Sequence, residues 1–280
     1  MTPFLTLALA LAMPIASLAA TIGKPPRFST KPFGLETREP QEEIWETDSE
    51  NIVGGTTAST AEFPYIVSLS QGGSHFCGGV LLNAYTVITA AHCSVGQSAS
   101  SVKVRAGSLY WASGGTQVGV SAIKYHPSYN ADTTDYDVAV WHLATAIAES
   151  STIGYATLPA SGSDPASGAS LTVAGWGLLT ESGSTLPSNL RKVTVPVVSR
   201  TTCRSQYGTS AITDNMFCAG LTAGGKDSCS GDSGGPIVDS SEVLQGVVSW
   251  GYGCAEANYA GVYTRIGNFV SWINTNKWTS

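Results

Sequence analysis

The chain has 280 residues, of which only 12 % are charged, with 31 glycines and a formal net charge of −6. That length holds one large or two modest domains with ample core, and so uncharged a composition argues against disorder. The acidic balance excludes the basic footprint of a nucleic-acid-binding protein.

Taken in chain order, residues 1–19 are expected to be a signal peptide. An apolar run passes through Phe4, Leu5, Leu7, Leu9 and Leu11, and small residues at Ser17 and Ala19 offer a cleavage site. Pro14 splits the run, which is also short for a bilayer span, so no membrane anchor is expected. Secretion to an extracellular, oxidising space follows. The cysteines agree: Cys77, Cys93, Cys203, Cys218, Cys229 and Cys254 all lie after the signal, an even number that reads as three disulfides. Spacing alone leaves their pairing open. No two are close enough for a Cys-x-x-Cys zinc pair, and no Asn-x-Ser/Thr triplet offers a glycan site.

Residues 20–51 have the composition of a linker or pro-segment. They contain no cysteine, four prolines (Pro25, Pro26, Pro32, Pro40) and an acidic run of Glu36, Glu39, Glu42, Glu43, Glu46, Asp48 and Glu50. Residues 52–280 carry ten basic and thirteen acidic side chains, a net of −3.

From Ile52 onward, short apolar or alternating runs are broken by Gly, Ser, Asn and Pro. Strands are expected over Tyr65–Leu69, Gly79–Leu82, Thr86–Thr89, Val102–Ala106, Gln117–Tyr125 and Asp137–Leu143. A second set covers Ser170–Ala174, Leu190–Val198, Met216–Ala219, Pro236–Val238, Val243–Trp250 and Gly261–Arg265. Many short strands at this spacing indicate an all-β sandwich or barrel. Helical periodicity is convincing only at the end, from about residue 268 to 277. The Ser/Gly-rich stretch 160–170 divides the strands into two similar halves, with the boundary near 156–170.

One segment stands apart. Asp227-Ser228-Cys229-Ser230-Gly231-Asp232-Ser233-Gly234-Gly235-Pro236 packs three glycines and a proline around one serine. Glycine permits positive φ and close approach, and proline stops a helix from running through, so an ordered, bent loop presents Ser233. A serine hydroxyl becomes a nucleophile only when a base takes its proton, and a third group must hold that base in one tautomer. His92 ends an apolar strand and is followed directly by Cys93. His75, His126 and His142 are read as structural histidines. Chain order then separates the classes of serine hydrolase. The Gly-x-Ser-x-Gly match to a nucleophile elbow needs a histidine after the serine, and none follows His142. The subtilisin order needs an aspartate before the histidine, where residues 52–91 hold only Glu62. His…Asp…Ser remains, with Asp137 as the aspartate because the apolar strand it heads would bury it; Asp132 and Asp135 read as solvated.

Ile52-Val53-Gly54-Gly55, Thr89-Ala90-Ala91-His92-Cys93, Asp137-Val138-Ala139-Val140, Gly231-Asp232-Ser233-Gly234-Gly235-Pro236 and Ser249-Trp250-Gly251 together resemble the chymotrypsin family of serine proteases, its trypsin branch in particular. The resemblance covers residues 52–280. It implies two six-stranded antiparallel β-barrels with a C-terminal helix and a site in the cleft between them. It implies that Ser233 attacks a peptide carbonyl, that His92 is the general base and acid, that Asp137 orients it, and that Gly231 and Ser233 N–H groups form the oxyanion hole. Ser249 would support Asp137 and, with Trp250, border the substrate.

Asp227 takes the position at the base of a trypsin-type pocket, with Ser228 beside it and Gly251 and Gly261 as open walls, which implies cleavage after Lys and Arg. The family's pairing is Cys77–Cys93, Cys203–Cys218 and Cys229–Cys254. Its activation step cuts before the residue matching Ile52, whose amino group then pairs with Asp232. Here that bond is Asn51–Ile52, where relatives carry Lys or Arg, so a different protease is expected to activate this chain. No cofactor and no metal are expected: residues 63–131 contain no Asp or Glu for a family-type calcium loop. Expected partners are protein or peptide substrates, an activating protease and protein inhibitors, around a monomeric enzyme. A catalytically silent binding module and a broader, chymotrypsin-like specificity are the alternatives.

Overall fold

The structure, a computed structural model, describes residues 52–280; the signal and pro-segment expectations for 1–51 lie outside the described residues. The first barrel is built from β2 (Ile66–Gln71), β3 (Ser74–Asn83), β4 (Thr86–Thr89), β5 (Val102–Ala106), β6 (Thr116–Tyr125) and β7 (Ala139–Leu143), closed in the order β2-β3-β4-β7-β6-β5. The second uses β8 (Ser170–Gly175), β9 (Arg191–Val198), β10 (Met216–Ala219), β11 (Pro236–Val238), β12 (Leu244–Trp250) and β13 (Gly261–Arg265). These run β9-β10-β13-β12-β11-β8, and the pairing of β8 with β9 closes the ring. All pairings are antiparallel, and the two barrels of the expected fold are present.

Alternation sets each strand's inward face. In β5 Val102, Val104 and Ala106 are buried while Lys103 is exposed, and in β9 Val193, Val195 and Val197 point inward. Val67, Leu69, Leu81 and Trp141 fill the first barrel; Leu171, Val173, Phe217 and Tyr263 fill the second. Each such aliphatic side chain contributes about 2 kcal/mol by leaving water. A third cluster, with Ile66, Val80, Ile88 and Val140 from one barrel and Trp176, Leu244 and Val247 from the other, welds the two together. That explains why all four residues of β4 are buried: one face lines its barrel and the other meets its neighbour. The C-terminal helix adds Ile273, and the turn before it Phe269, to this seam.

Two elements depart from expectation. β1 (Thr56–Thr57) is a seventh strand laid on β9, exposed and without apolar pattern, so only its pairing with Arg191 and Lys192 makes it a strand. Helix α1 (Arg200–Tyr207) occurs where no helix was expected: only Cys203 among its residues is buried, so no apolar stripe announced it. It is held instead by the Ser199 N-cap, whose hydroxyl accepts from Thr202 N–H, and by the Cys203–Cys218 bridge to β10. The final helix, α2, is Val270–Asn276, preceded by a 3₁₀ turn over Ile266–Phe269. Among the described residues no helix is long and apolar enough to cross a membrane.

Candidate active site

His92 stands in the turn after β4, and Asp137 two residues before β7, on the neighbouring strand of the same barrel. The imidazole Nδ1 lies 2.8 Å from Asp137 Oδ2, while the backbone N–H of His92 donates to Oδ1, also at 2.8 Å. Ser249, from β12 of the other barrel, donates its hydroxyl to Oδ2 at 2.6 Å, and Thr264 donates to the Asp137 carbonyl at 2.7 Å. Asp137 is thus buried with every contact supplied by a donor, as a carboxylate requires, while the His92 side chain keeps 28 % of its surface exposed.

Ser233 sits on the loop before β11. Its carbonyl accepts from Gly78 N–H at 2.8 Å, which fastens the loop of one barrel to β3 of the other. The Cys77–Cys93 bridge lies between the two groups of interest: the Cys93 sulfur is 3.7 Å from His92 Nε2 and 3.6 Å from the Ser233 carbonyl. Among the described residues no hydrogen bond of 3.5 Å or less joins the Ser233 hydroxyl to His92. Gly231 (φ +102°) and Gly234 (φ +75°) make the bend that carries Ser233. At Gly234 a methyl group would stand 2.1 Å from the Thr89 hydroxyl, so no other residue fits there. Among the described residues neither the Gly231 nor the Ser233 backbone N–H finds a protein acceptor, which leaves two donors beside the serine.

Next to Ser233 opens a cavity of about 150 Å³ bordered by Asp227, Ser228, Ser249, Trp250, Gly251 and Gly261, with the Cys229–Cys254 bridge along it. Asp227 is 5 % exposed. Its Oδ1 accepts from Ser228 N–H at 2.8 Å and its Oδ2 from Ala255 N–H at 3.1 Å. Burial nevertheless dominates those bonds and pushes its carboxyl up to about 6. Asp232 points the other way, fully buried, its oxygens accepting from Gly177 N–H at 2.7 Å and Cys229 N–H at 2.9 Å. Burial pushes it up to about 7, the nearby Asp227 adding to the effect and the two N–H groups opposing it. Ile52 is buried too, within the core of the second barrel.

The singled-out residues therefore converge on one cleft, except Asp232, which is fully buried behind it, and Ile52 and the Cys203–Cys218 pair, which lie in the second barrel's body. The three cysteine pairs are those the resemblance implied. One residue read as merely structural has more to do. His75 accepts or donates at Ser68 Oγ (2.7 Å) through Nδ1, and its Nε2 meets the Gly231 carbonyl at 2.9 Å, so a buried imidazole braces the serine loop from the opposite barrel. Burial lowers its pKa, and the Gly231 bond opposes that. Its contact lies 156 positions away, beyond any local signal. Tyr207, from the unforeseen α1, packs edge-on against Trp250 with ring centres 5.0 Å apart.

A family model described as Trypsin matches residues 52–273. Trypsin Blo t 3 of Blomia tropicalis is 50 % identical over 226 residues, covering 79 % of this chain and 84 % of that protein. Trypsin beta of Drosophila erecta is 48 % identical over 228 residues (80 % and 88 %), and trypsin alpha of Drosophila melanogaster 48 % over 225 (79 % and 86 %). The two barrels, the cleft and these likenesses agree: the chain belongs to the trypsin family and is a serine endopeptidase.

Proposed function

We propose that this enzyme is secreted as a zymogen and, once cut at Asn51–Ile52, hydrolyses peptide bonds after Lys and Arg. The observation that carries the specificity is Asp227, a buried carboxylate at the end of the cavity beside Ser233, with no cation of the protein near it among the described residues. A substrate guanidinium or ammonium offsets the desolvation that keeps this carboxyl partly neutral. Ser233 attacks the scissile carbonyl; His92 takes its proton and returns it to the leaving amine; Asp137, steadied by Ser249, keeps Nδ1 protonated. The unpaired Gly231 and Ser233 N–H groups receive the developing oxyanion, each contributing roughly 3 kcal/mol. The apolar run at the start of the sequence and the three disulfides support secretion, and a monomer suffices because the site is complete within one chain. The test is a peptide library varied at the residue before the scissile bond, given to the form beginning at Ile52, with a serine-directed phosphonate to label Ser233. Cleavage spread evenly over apolar residues, or a chain inert to the phosphonate, would rule the proposal out.

The cavity walls supply a finer expectation. A methyl group on Gly261 would stand 2.5 Å from Asp227 Oδ1, whereas at Gly251 its nearest neighbour is the Gly253 carbonyl at 3.7 Å. Gly261→Ala must displace Asp227, and a shift near 1 Å at a binding group costs about a hundredfold. We expect kcat/KM on arginyl substrates to fall by that order in Gly261→Ala and by much less in Gly251→Ala.

Activation has a signature in pH. Asp232 has its carboxyl pushed from 3.8 up to about 7 in the folded chain. Below pH 4 both folded and unfolded chains hold the proton. Between 4 and 7 the unfolded chain loses it first, so stability falls as pH rises, by up to about 4 kcal/mol. An ammonium at Ile52 reverses the sign. The Ser233→Ala precursor should therefore lose urea stability from pH 4 to 8 relative to the same variant beginning at Ile52; parallel profiles would contradict this.

A further inference from the structure

Asp135 stands two residues before Asp137, and its position in the chain reads as solvated. The fold instead half-buries it and ties its carboxylate to the other barrel. One oxygen, Oδ1, accepts three hydrogen bonds: from the adjacent Tyr136 N–H at 2.8 Å, from the Thr213 hydroxyl at 2.8 Å and from the Asn215 amide at 3.0 Å. Thr213 and Asn215 belong to the loop between α1 and β10, 78 and 80 positions away. That loop is itself fixed. The Thr213 carbonyl accepts from Arg200 of α1 at 2.9 Å, and the Asn215 carbonyl from the Arg265 N–H at the end of β13 at 2.8 Å. Among the described residues Oδ2 finds no protein donor, so Oδ1 alone makes the clasp.

The segment it clasps is strained. Thr134 and Tyr136 have φ of +52° and +55°, a left-handed region that branched and bulky residues rarely enter. Immediately afterwards the Val138 N–H donates to the Tyr136 carbonyl at 2.8 Å, closing a three-residue turn with Asp137 at its centre. The direction of the Asp137 side chain is therefore tied to the backbone of Tyr136. Tyr136 is in turn held left-handed by Asp135 Oδ1, which engages its N–H, and by its ring, stacked on His126 with centres 4.8 Å apart. Ser249 and Thr264 hold Asp137 directly. Asp135 adds a further tie to the second barrel, just upstream.

We propose that Asp135 is a positioning residue: its carboxylate, clasped by the Thr213 and Asn215 side chains of the second barrel, holds the left-handed turn that aims Asp137 at His92. This rests on the triad reading above. Base and nucleophile sit on different barrels, and their alignment then depends on a contact that touches neither.

Asp135→Ala removes the acceptor that the three donors share. On a short arginyl amide, kcat should fall about ten- to a hundredfold, the cost of misplacing a catalytic group by up to about 1 Å. KM should hold, because Asp135 does not border the specificity cavity. Asp135→Asn keeps Oδ1 and puts its NH₂ where no donor stands, so kcat should return close to the parent's. Thr213→Val deletes a single donor and should lower kcat about two- to tenfold, the worth of one hydrogen bond. This milder variant replaces Asp135→Ala if thermal unfolding shows that the alanine chain does not fold. The decisive arm is a double-mutant cycle with Asp137→Asn. If Asp135 acts through Asp137, adding Asp135→Ala to Asp137→Asn lowers kcat no further. The inference is overturned if the clasp variants keep the parent's kcat or lose only in KM, if Asp135→Asn is as slow as Asp135→Ala, or if the two losses multiply in the double variant. If Asp137→Asn alone leaves kcat unchanged, the triad reading fails instead, and the inference with it.

Discussion

Asp137→Asn is expected to lower kcat by about 10⁴ with little change in KM or in the fold, a size this substitution has elsewhere in the family and not one derived from these distances. The reason can be read from the contacts. Asp137 receives three donors, the His92 N–H, the His92 Nδ1–H and the Ser249 hydroxyl. An asparagine keeps one acceptor oxygen and replaces the other by an NH₂. Oδ2 takes both Nδ1 and Ser249, so whichever oxygen is lost, a donor faces a donor. The imidazole relieves this by moving its proton to Nε2, which then cannot accept the proton of Ser233. Binding is untouched because Asp137 does not border the specificity cavity. Steady-state kinetics on an arginyl amide, with thermal unfolding as the control, checks both halves. A kcat within tenfold of the parent would show that Asp137 does not orient the base.

Asp227→Ser should abolish the preference for arginine and lysine, lowering kcat/KM on those substrates by roughly 10²- to 10⁴-fold, the cost of leaving a buried charge without its partner. Retained activity on arginyl substrates would sink the assignment. The parent enzyme carries a second, subtler mark of the same group. With the empty-site carboxyl near 6, a cationic ligand binds only the ionised form. Affinity for an amidinium should therefore climb about tenfold per unit as pH rises toward 6 and level off above 7. An uncharged ligand of the same shape should show no such rise, and isothermal titration across pH 5 to 8 separates the two.

How far could the sequence be read? Short motifs with chemistry packed into a few residues were legible, because Gly, Pro, Ser and Asp at fixed offsets dictate a local bend. Three strands were legible to the residue: Val102–Ala106 because its apolar side chains turn inward at alternate positions, and Thr86–Thr89 and Met216–Ala219 because each is a short run buried on both faces. What escaped depends on distance in the chain. α1 has no apolar stripe; its only local marks were Ser199 before it and Gly208 after it. β1 is two exposed threonines whose conformation comes from β9. The Thr264 bond to Asp137 spans 127 positions and the His75 brace 156, while the Ser249 bond, across 112 positions, was reached only through the family resemblance. Such contacts exist only once both barrels have closed and met.

β1 also does something for the proposed activation that its two residues hide. Thr56 and Thr57 are paired to Lys192 and Arg191, so the chain is moored four residues after Ile52. A chain end on so short a leash is present near its target at an effective concentration of about millimolar or more. Insertion of the freed amino group is then unimolecular. Its extent is set by the leash and the Asp232 site and stays the same however far the enzyme is diluted, whereas a free Ile-Val dipeptide would have to be supplied in bulk to compete.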